Sequence, residues 1–121
     1  MKYMLLIYDD EQKWAKLSES ERGQMYAEYR QFGDQIKGTG QYVTGSQLQP
    51  TSAATSVRLR DGKRLLTDGP FAETREQLGG YYLVEAKDLD EAISLAARIP
   101  SARVGTIEVR PLVVAAMPAA V

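Results

Sequence analysis

The 121-residue chain contains no cysteine and no histidine. Without cysteine there is no disulfide, no thiolate nucleophile and no zinc–thiolate centre. The absence also fits a reducing compartment. Without histidine, the side chain best matched to proton transfer near neutral pH is missing. So are the commonest nitrogen ligand of transition metals and the base of a Ser-His-Asp triad. Any chemistry therefore falls to carboxylates, tyrosines, lysines, arginines or a bound group. An excess of one charge is also lacking: 15 Lys and Arg stand against 16 Asp and Glu, for a net charge of −1. That excludes the electrostatic footprint of a free-standing nucleic-acid binder, and no direct nucleic-acid partner is expected. Long apolar runs are missing too. The stretch from Met1 to Tyr8 is stopped by Asp9, Asp10 and Glu11, too early for a signal peptide. Nothing approaches the ~18 apolar residues of a membrane span. A cytoplasmic protein without membrane contact is expected.

What is present has the length and composition of one soluble domain. Met1 to Tyr8 reads as a strand with Tyr3, Leu5 and Ile7 on one side and Met4, Leu6 and Tyr8 on the other, apolar on both. Asp9 to Leu17 reads as a loop with a helical turn near Trp14. Ser18 and Glu21 form a capping-box pattern that opens a long helix. Met25, Tyr29, Phe32 and Ile36 make its core-facing stripe, and Gly38 and Gly40 end it. Tyr42 to Leu48 reads as a strand. Thr55 to Arg60 alternates, with Val57 and Leu59 expected inward, and Asp61-Gly62 signals a hairpin returning through Arg64 to Thr67. Gly80 to Glu85 is again apolar on both faces. Asp88 with Glu91 caps a second helix whose stripe is Leu89, Ala92, Ile93 and Ala96; Pro100 stops it, and Arg103 to Arg110 is the last strand.

This order reduces to an α+β domain of the ferredoxin-like βαββαβ plan with a β-hairpin insert, over residues 1–111. Two helices cover only one face of such a sheet, yet two of its strands are apolar on both. The economical cover for the other face is a second copy, so a homodimer packed sheet against sheet is expected. The apolar tail, residues 112–121, either extends that contact or frays.

The segment from Asp68 to Tyr82, beginning Asp68-Gly69-Pro70-Phe71 and including Glu73, Glu76 and Tyr81, concentrates turn formers, carboxylates and aromatics. As architecture, Pro70 fixes its own φ and favours extended geometry at Gly69, while Phe71 plugs a core gap. As chemistry, a rigid turn beside a cleft holds Asp68 and Glu73 as the candidate catalytic acid and base. Tyr8, Tyr29, Tyr81 and Arg110 are then the candidate ligand-binding groups, the guanidinium offering an anion-binding fork. The acidic spacing fits no known calcium loop, so no metal is assigned, and no cofactor is called for. Arg58, Arg60, Lys63 and Arg64 read as a solvated hairpin tip.

Met1 to Tyr8, Thr67 to Thr74, Gln77 to Tyr82, Asp88 to Ala92 and Ala97 to Pro100, in that order, resemble the DGPF-motif branch of the YCII-related family. The resemblance covers Met1 to about Pro111 and implies a dimeric α+β barrel of ferredoxin-like subunits. YCII-type relatives carry a His-Asp pair read as catalytic, which a chain without histidine cannot supply. The branch's association with extracytoplasmic-function sigma factors implies a link to transcriptional control. Two readings compete. One is a homodimeric small-molecule-binding protein with carboxylate-based acid/base chemistry. The alternative is a non-catalytic regulatory partner associated with such a sigma factor; a plain dimeric scaffold stands behind both. A deep cleft with convergent polar groups favours the first.

Overall fold

A computed structural model describes residues 1–114. Strand β1 (Lys2–Asp9) lies at the centre of a four-stranded sheet. It is followed by α1 (Glu11–Lys16), α2 (Glu19–Gly38) and β2 (Tyr42–Gln47). The hairpin β3 (Thr55–Arg60) and β4 (Lys63–Asp68) comes next, then β5 (Gln77–Glu85), α3 (Leu89–Ala97) and β6 (Thr106–Pro111). Single 3₁₀ turns occupy Thr51–Ala53 and Pro100–Arg103. The sheet order is β2-β5-β1-β6, and each neighbouring pair is antiparallel. With the hairpin set aside, this is the βαββαβ arrangement the sequence predicts.

Local signals account for most boundaries. Ser18 Oγ accepts from the Glu21 N–H at 3.1 Å while the Glu21 carboxylate accepts from the Ser18 N–H at 3.0 Å, so both members of the capping box are made. Asp88 caps α3 by accepting from the Glu91 N–H at 2.9 Å. Asp10 does the same for α1 through the Gln12 N–H at 2.9 Å, turning the expected loop before α2 into a short helix. Asp61 and Gly62 both have positive φ, 52° and 75°, the twist a two-residue hairpin turn requires.

The core lies between one sheet face and the helices. Tyr3, Leu5 and Ile7 of β1 and Val84 of β5 meet Phe32 and Ile36 of α2 and Ala92, Leu95 and Ala96 of α3. Leu5 and Ile36 are completely buried. Truncating either to alanine removes roughly 2–5 kcal/mol. On the opposite sheet face Met4, Leu6, Tyr81 and Leu83 are half-buried, lying across from one another in the β1–β5 register.

Three packing expectations are corrected. Val57 and Leu59 do not point into a core: β3 and β4 form a separate two-stranded sheet, and both residues are more than half exposed. Alternation marks two faces of a hairpin but cannot say that either is covered. On α3, Leu89 and Ile93 are exposed, and the buried ridge runs through Ala92, Leu95 and Ala96 instead. Phe71 is 78% exposed and plugs nothing. Gly69 is not extended but has φ 95°, a backbone conformation open chiefly to glycine. Its N–H donates to the Ala54 carbonyl at 2.7 Å and its carbonyl accepts from Ser56 Oγ at 2.9 Å, which closes the base of the hairpin. Leu112 to Val114 are exposed, and the remainder of the expected tail contact, residues 115–121, lies outside the described residues.

Candidate functional site

At one end of the sheet a cavity of about 430 Å³ opens between β1, β5 and the first two helices. Its floor is Ile7 and Asp9 of β1 with Gly79 and Gly80 of β5. A register shift between Ile7 and Tyr8 marks a bulge here: Ile7 pairs with Gly80 and Tyr8 with Leu78, so Gly79 is skipped. Glu11 and Trp14 of α1 and Tyr26 and Tyr29 of α2 form one wall, and the chain from Ser46 to Pro50 forms another. Trp14 and Tyr26 meet edge to face with ring centroids 5.5 Å apart. The carboxylate of Glu11 accepts from the Thr51 N–H at 2.7 Å and the Thr51 hydroxyl at 2.8 Å, tying the segment after β2 to α1. The Gln77 side chain accepts from the Glu11 N–H at 3.0 Å.

The polar centre is a relay of three side chains. Ser101 is 2% exposed, the one polar or charged side chain buried with the core among the described residues. Its hydroxyl donates to Asp9 Oδ2 at 2.8 Å. A serine has one proton to give, so the Tyr29 hydroxyl, also bonded to Ser101 Oγ, is the donor in that contact. The order is therefore Tyr29 to Ser101 to Asp9. Burial raises the Asp9 carboxyl above its ordinary value; the Ser101 hydrogen bond opposes this, and the nearby Glu76 carboxylate adds to it. Burial also pushes the Tyr29 phenol up to about 12. The polypeptide leaves little slack around Asp9: a Cβ at Gly105 would sit 2.2 Å from the Tyr8 carbonyl oxygen and 2.5 Å from Asp9 Oδ1. Only glycine fits there.

The six candidate residues from the sequence do not converge. Tyr29 lines the cavity. Tyr8, Tyr81 and Arg110 belong to the open face of the sheet, where Arg110 Nη2 lies 2.6 Å from Glu108 Oε2 and the Tyr8 hydroxyl donates to Glu108 Oε1 at 3.4 Å. Asp68 ends β4 opposite Thr55, and Glu73 stands in the following loop; both are exposed and neither lines the cavity. The cavity residues that the sequence left unassigned are Asp9, Glu11, Trp14 and Ser101. Asp9 carried a usable signal, a carboxylate at the end of a strand apolar on both faces. Ser101 carried none, because its burial comes from contacts with residues far away in the chain. Among the described residues no three Asp or Glu side chains gather into a metal-binding group. No helix among them is long and apolar enough to cross a membrane.

Comparison with known proteins adds a family and a relative. Residues 1–115 match the YCII-related domain. An uncharacterized protein of Rhizobium meliloti (strain 1021) is similar to the chain, 36% identical over 114 residues that span 93% of this chain and 92% of that one.

Proposed function

The chain belongs to the YCII-related domain family, and from that premise we propose that it is a small-molecule-binding protein whose ligand occupies the cavity beside Asp9. The observation that carries this reading is the Tyr29–Ser101–Asp9 relay at the wall of a cavity of about 430 Å³. That volume is in the range of small-molecule sites, and a few convergent polar groups on an apolar, aromatic lining are their usual make-up. Asp9, rather than Asp68 or Glu73, is the acid–base group. It is a carboxyl raised by burial, held by a hydroxyl that is itself held, and one side of it faces the cavity. The Asp68-Gly69-Pro70-Phe71 sequence supports placement in the DGPF-motif branch, with the motif serving as the hairpin's closing turn. Homodimer formation through the half-buried Met4, Leu6, Tyr81 and Leu83, giving the two-subunit barrel, is part of the same reading. The regulatory alternative beside a sigma factor draws on no cavity, and an open, mostly apolar one with a few convergent polar groups favours ligand binding over it.

The test is a plugged cavity. Gly79 lines the cavity, and a Cβ there would meet nothing closer than the Ile7 carbonyl oxygen at 4.0 Å, so Gly79→Phe is the plugging variant. Small-molecule fragments screened by amide chemical-shift perturbation should move Asp9, Trp14, Tyr29 and Ser101 in the wild type and not in this variant. Hits that cluster elsewhere, or that survive the plug, would sink the assignment.

A further inference from the structure

We propose that the cavity selects a cation: an ammonium group carried on a small aromatic or apolar body, the nitrogen against the Asp9 and Glu11 carboxylates and the body against Trp14 and Tyr26. The inference rests on the cavity being the ligand site and adds the chemical class of the ligand. It starts from charge. The acidic side chains on the lining are Asp9 and Glu11, and no lysine or arginine lines it among the described residues. Residues 115–121 contain neither lysine nor arginine. The two carboxylates are bonded only by neutral donors, Ser101 to Asp9 and Thr51 to Glu11, and neither joins an ion pair among the described residues. Arg22 comes close to α1 but donates to the Trp14 carbonyl at 3.4 Å and the Ala15 carbonyl at 2.8 Å, which satisfies that helix end, and it forms no ion pair with Asp9 or Glu11. A third carboxylate, Glu76, adds negative potential at Asp9.

An anionic ligand would meet like charge in a partly desolvated site, which is strongly disfavoured. A neutral ligand would leave the carboxylates as they are. An ammonium supplies the missing counter-charge and the hydrogen-bond donors that Asp9 lacks on its second oxygen. The aromatic side chains of Trp14, Tyr26 and Tyr29 on the lining supply an apolar seat for the rest of the molecule, and any ring face turned to the ammonium adds cation–π attraction.

Trp14 is the single tryptophan of the chain and lines the cavity, so its fluorescence reads occupancy directly. Three probes share a phenyl ring on a two-carbon chain and carry opposite or no charge at its end: 2-phenylethylamine, 2-phenylethanol and phenylacetate. At neutral pH the amine should give saturable change with an affinity roughly tenfold or more above the alcohol, and phenylacetate none. Asp9→Asn and, independently, Glu11→Gln should each shrink the amine-to-alcohol ratio toward unity; two variants guard against one that misfolds. If the alcohol binds saturably and the amine no better, or phenylacetate binds best, the charge inference falls while the cavity remains a ligand site. If a plugged Gly79→Phe variant responds to the amine as the wild type does, the cavity itself is the wrong place.

Discussion

Replacing Ser101 by alanine deletes one oxygen atom and breaks two hydrogen bonds. The bond to Asp9, 2.8 Å long, ends on a carboxyl oxygen; the bond from Tyr29 joins two hydroxyls. Net values of roughly 1.5–3 and 0.5–1.5 kcal/mol set the gross loss. Asp9 is only half-buried and borders an open cavity, so water recovers part of its share, and the expected destabilisation is about 2 kcal/mol, or roughly 8 °C in Tm. The second consequence is electrostatic. The Ser101 hydroxyl is what holds the Asp9 carboxyl down against burial and Glu76, so in the variant it rises further. A carboxyl raised in the folded state binds its proton more tightly there than in the unfolded chain. It therefore withdraws stability as pH climbs from its unfolded value of 3.8 through its folded value. The variant widens that window upward, so its deficit is larger near neutrality than in acid. Urea denaturation of both proteins at about pH 4 and about pH 7 measures this directly. A deficit smaller than about 0.5 kcal/mol at both values, or one that grows in acid, would refute the relay as described.

Three further outcomes are expected. The Tyr29 phenol, near 12, keeps its proton in the folded state after the unfolded chain has lost it at its ordinary 10.0, so stability falls as pH rises through that interval. In an ultraviolet titration the latest-titrating tyrosine should vanish in Tyr29→Phe; its persistence would contradict the burial assigned here. Gly105→Ala forces a methyl against the Tyr8 carbonyl, and since that neighbour is backbone the strand must shift; a loss of about 1–3 kcal/mol in urea denaturation is expected, together with displacement of Asp9. Leu6→Arg places a charge at the centre of the open sheet face and should convert a sedimenting dimer to a monomer; a wild type that sediments as one subunit at micromolar concentration removes the dimer from the reading.

Features with a local cause were legible in the sequence. Ser18 and Glu21 meet because they are three residues apart on a nascent helix, and Asp61-Gly62 turns because those residues tolerate positive φ. The strand at Met1 to Tyr8 shows its two faces by alternation alone. Choices made by tertiary contact were not legible. On α3 the spacing of Leu89 and Ile93 is as helical as that of Ala92 and Ala96, and only the position of the sheet decides which ridge is buried. The hairpin presented an apolar face in the sequence, but nothing in it could show that the face would find no cover within its own subunit. The grouping of the cavity residues is set by tertiary contact in the same way. The conspicuous carboxylates, Asp68 and Glu73, sit where turn chemistry concentrates polar residues, while Asp9 looks like the punctuation that ends a strand. Tyr29, in a core-facing helical stripe, is the one sequence candidate that lines the cavity.

The relay joins positions 9, 29 and 101, with sequence separations of 72 between Tyr29 and Ser101 and 92 between Ser101 and Asp9. No continuous fragment shorter than almost the whole chain holds all three groups, and no early hairpin or isolated helix brings two of them together. Such long-range contacts require the intervening loops to close, so the three groups meet only in a chain that has its native topology. Ligand capture by this protein would then report native topology as faithfully as any spectroscopic signal. A variant that opens locally around the Pro100–Arg103 turn would lose recognition while most of its secondary structure persists.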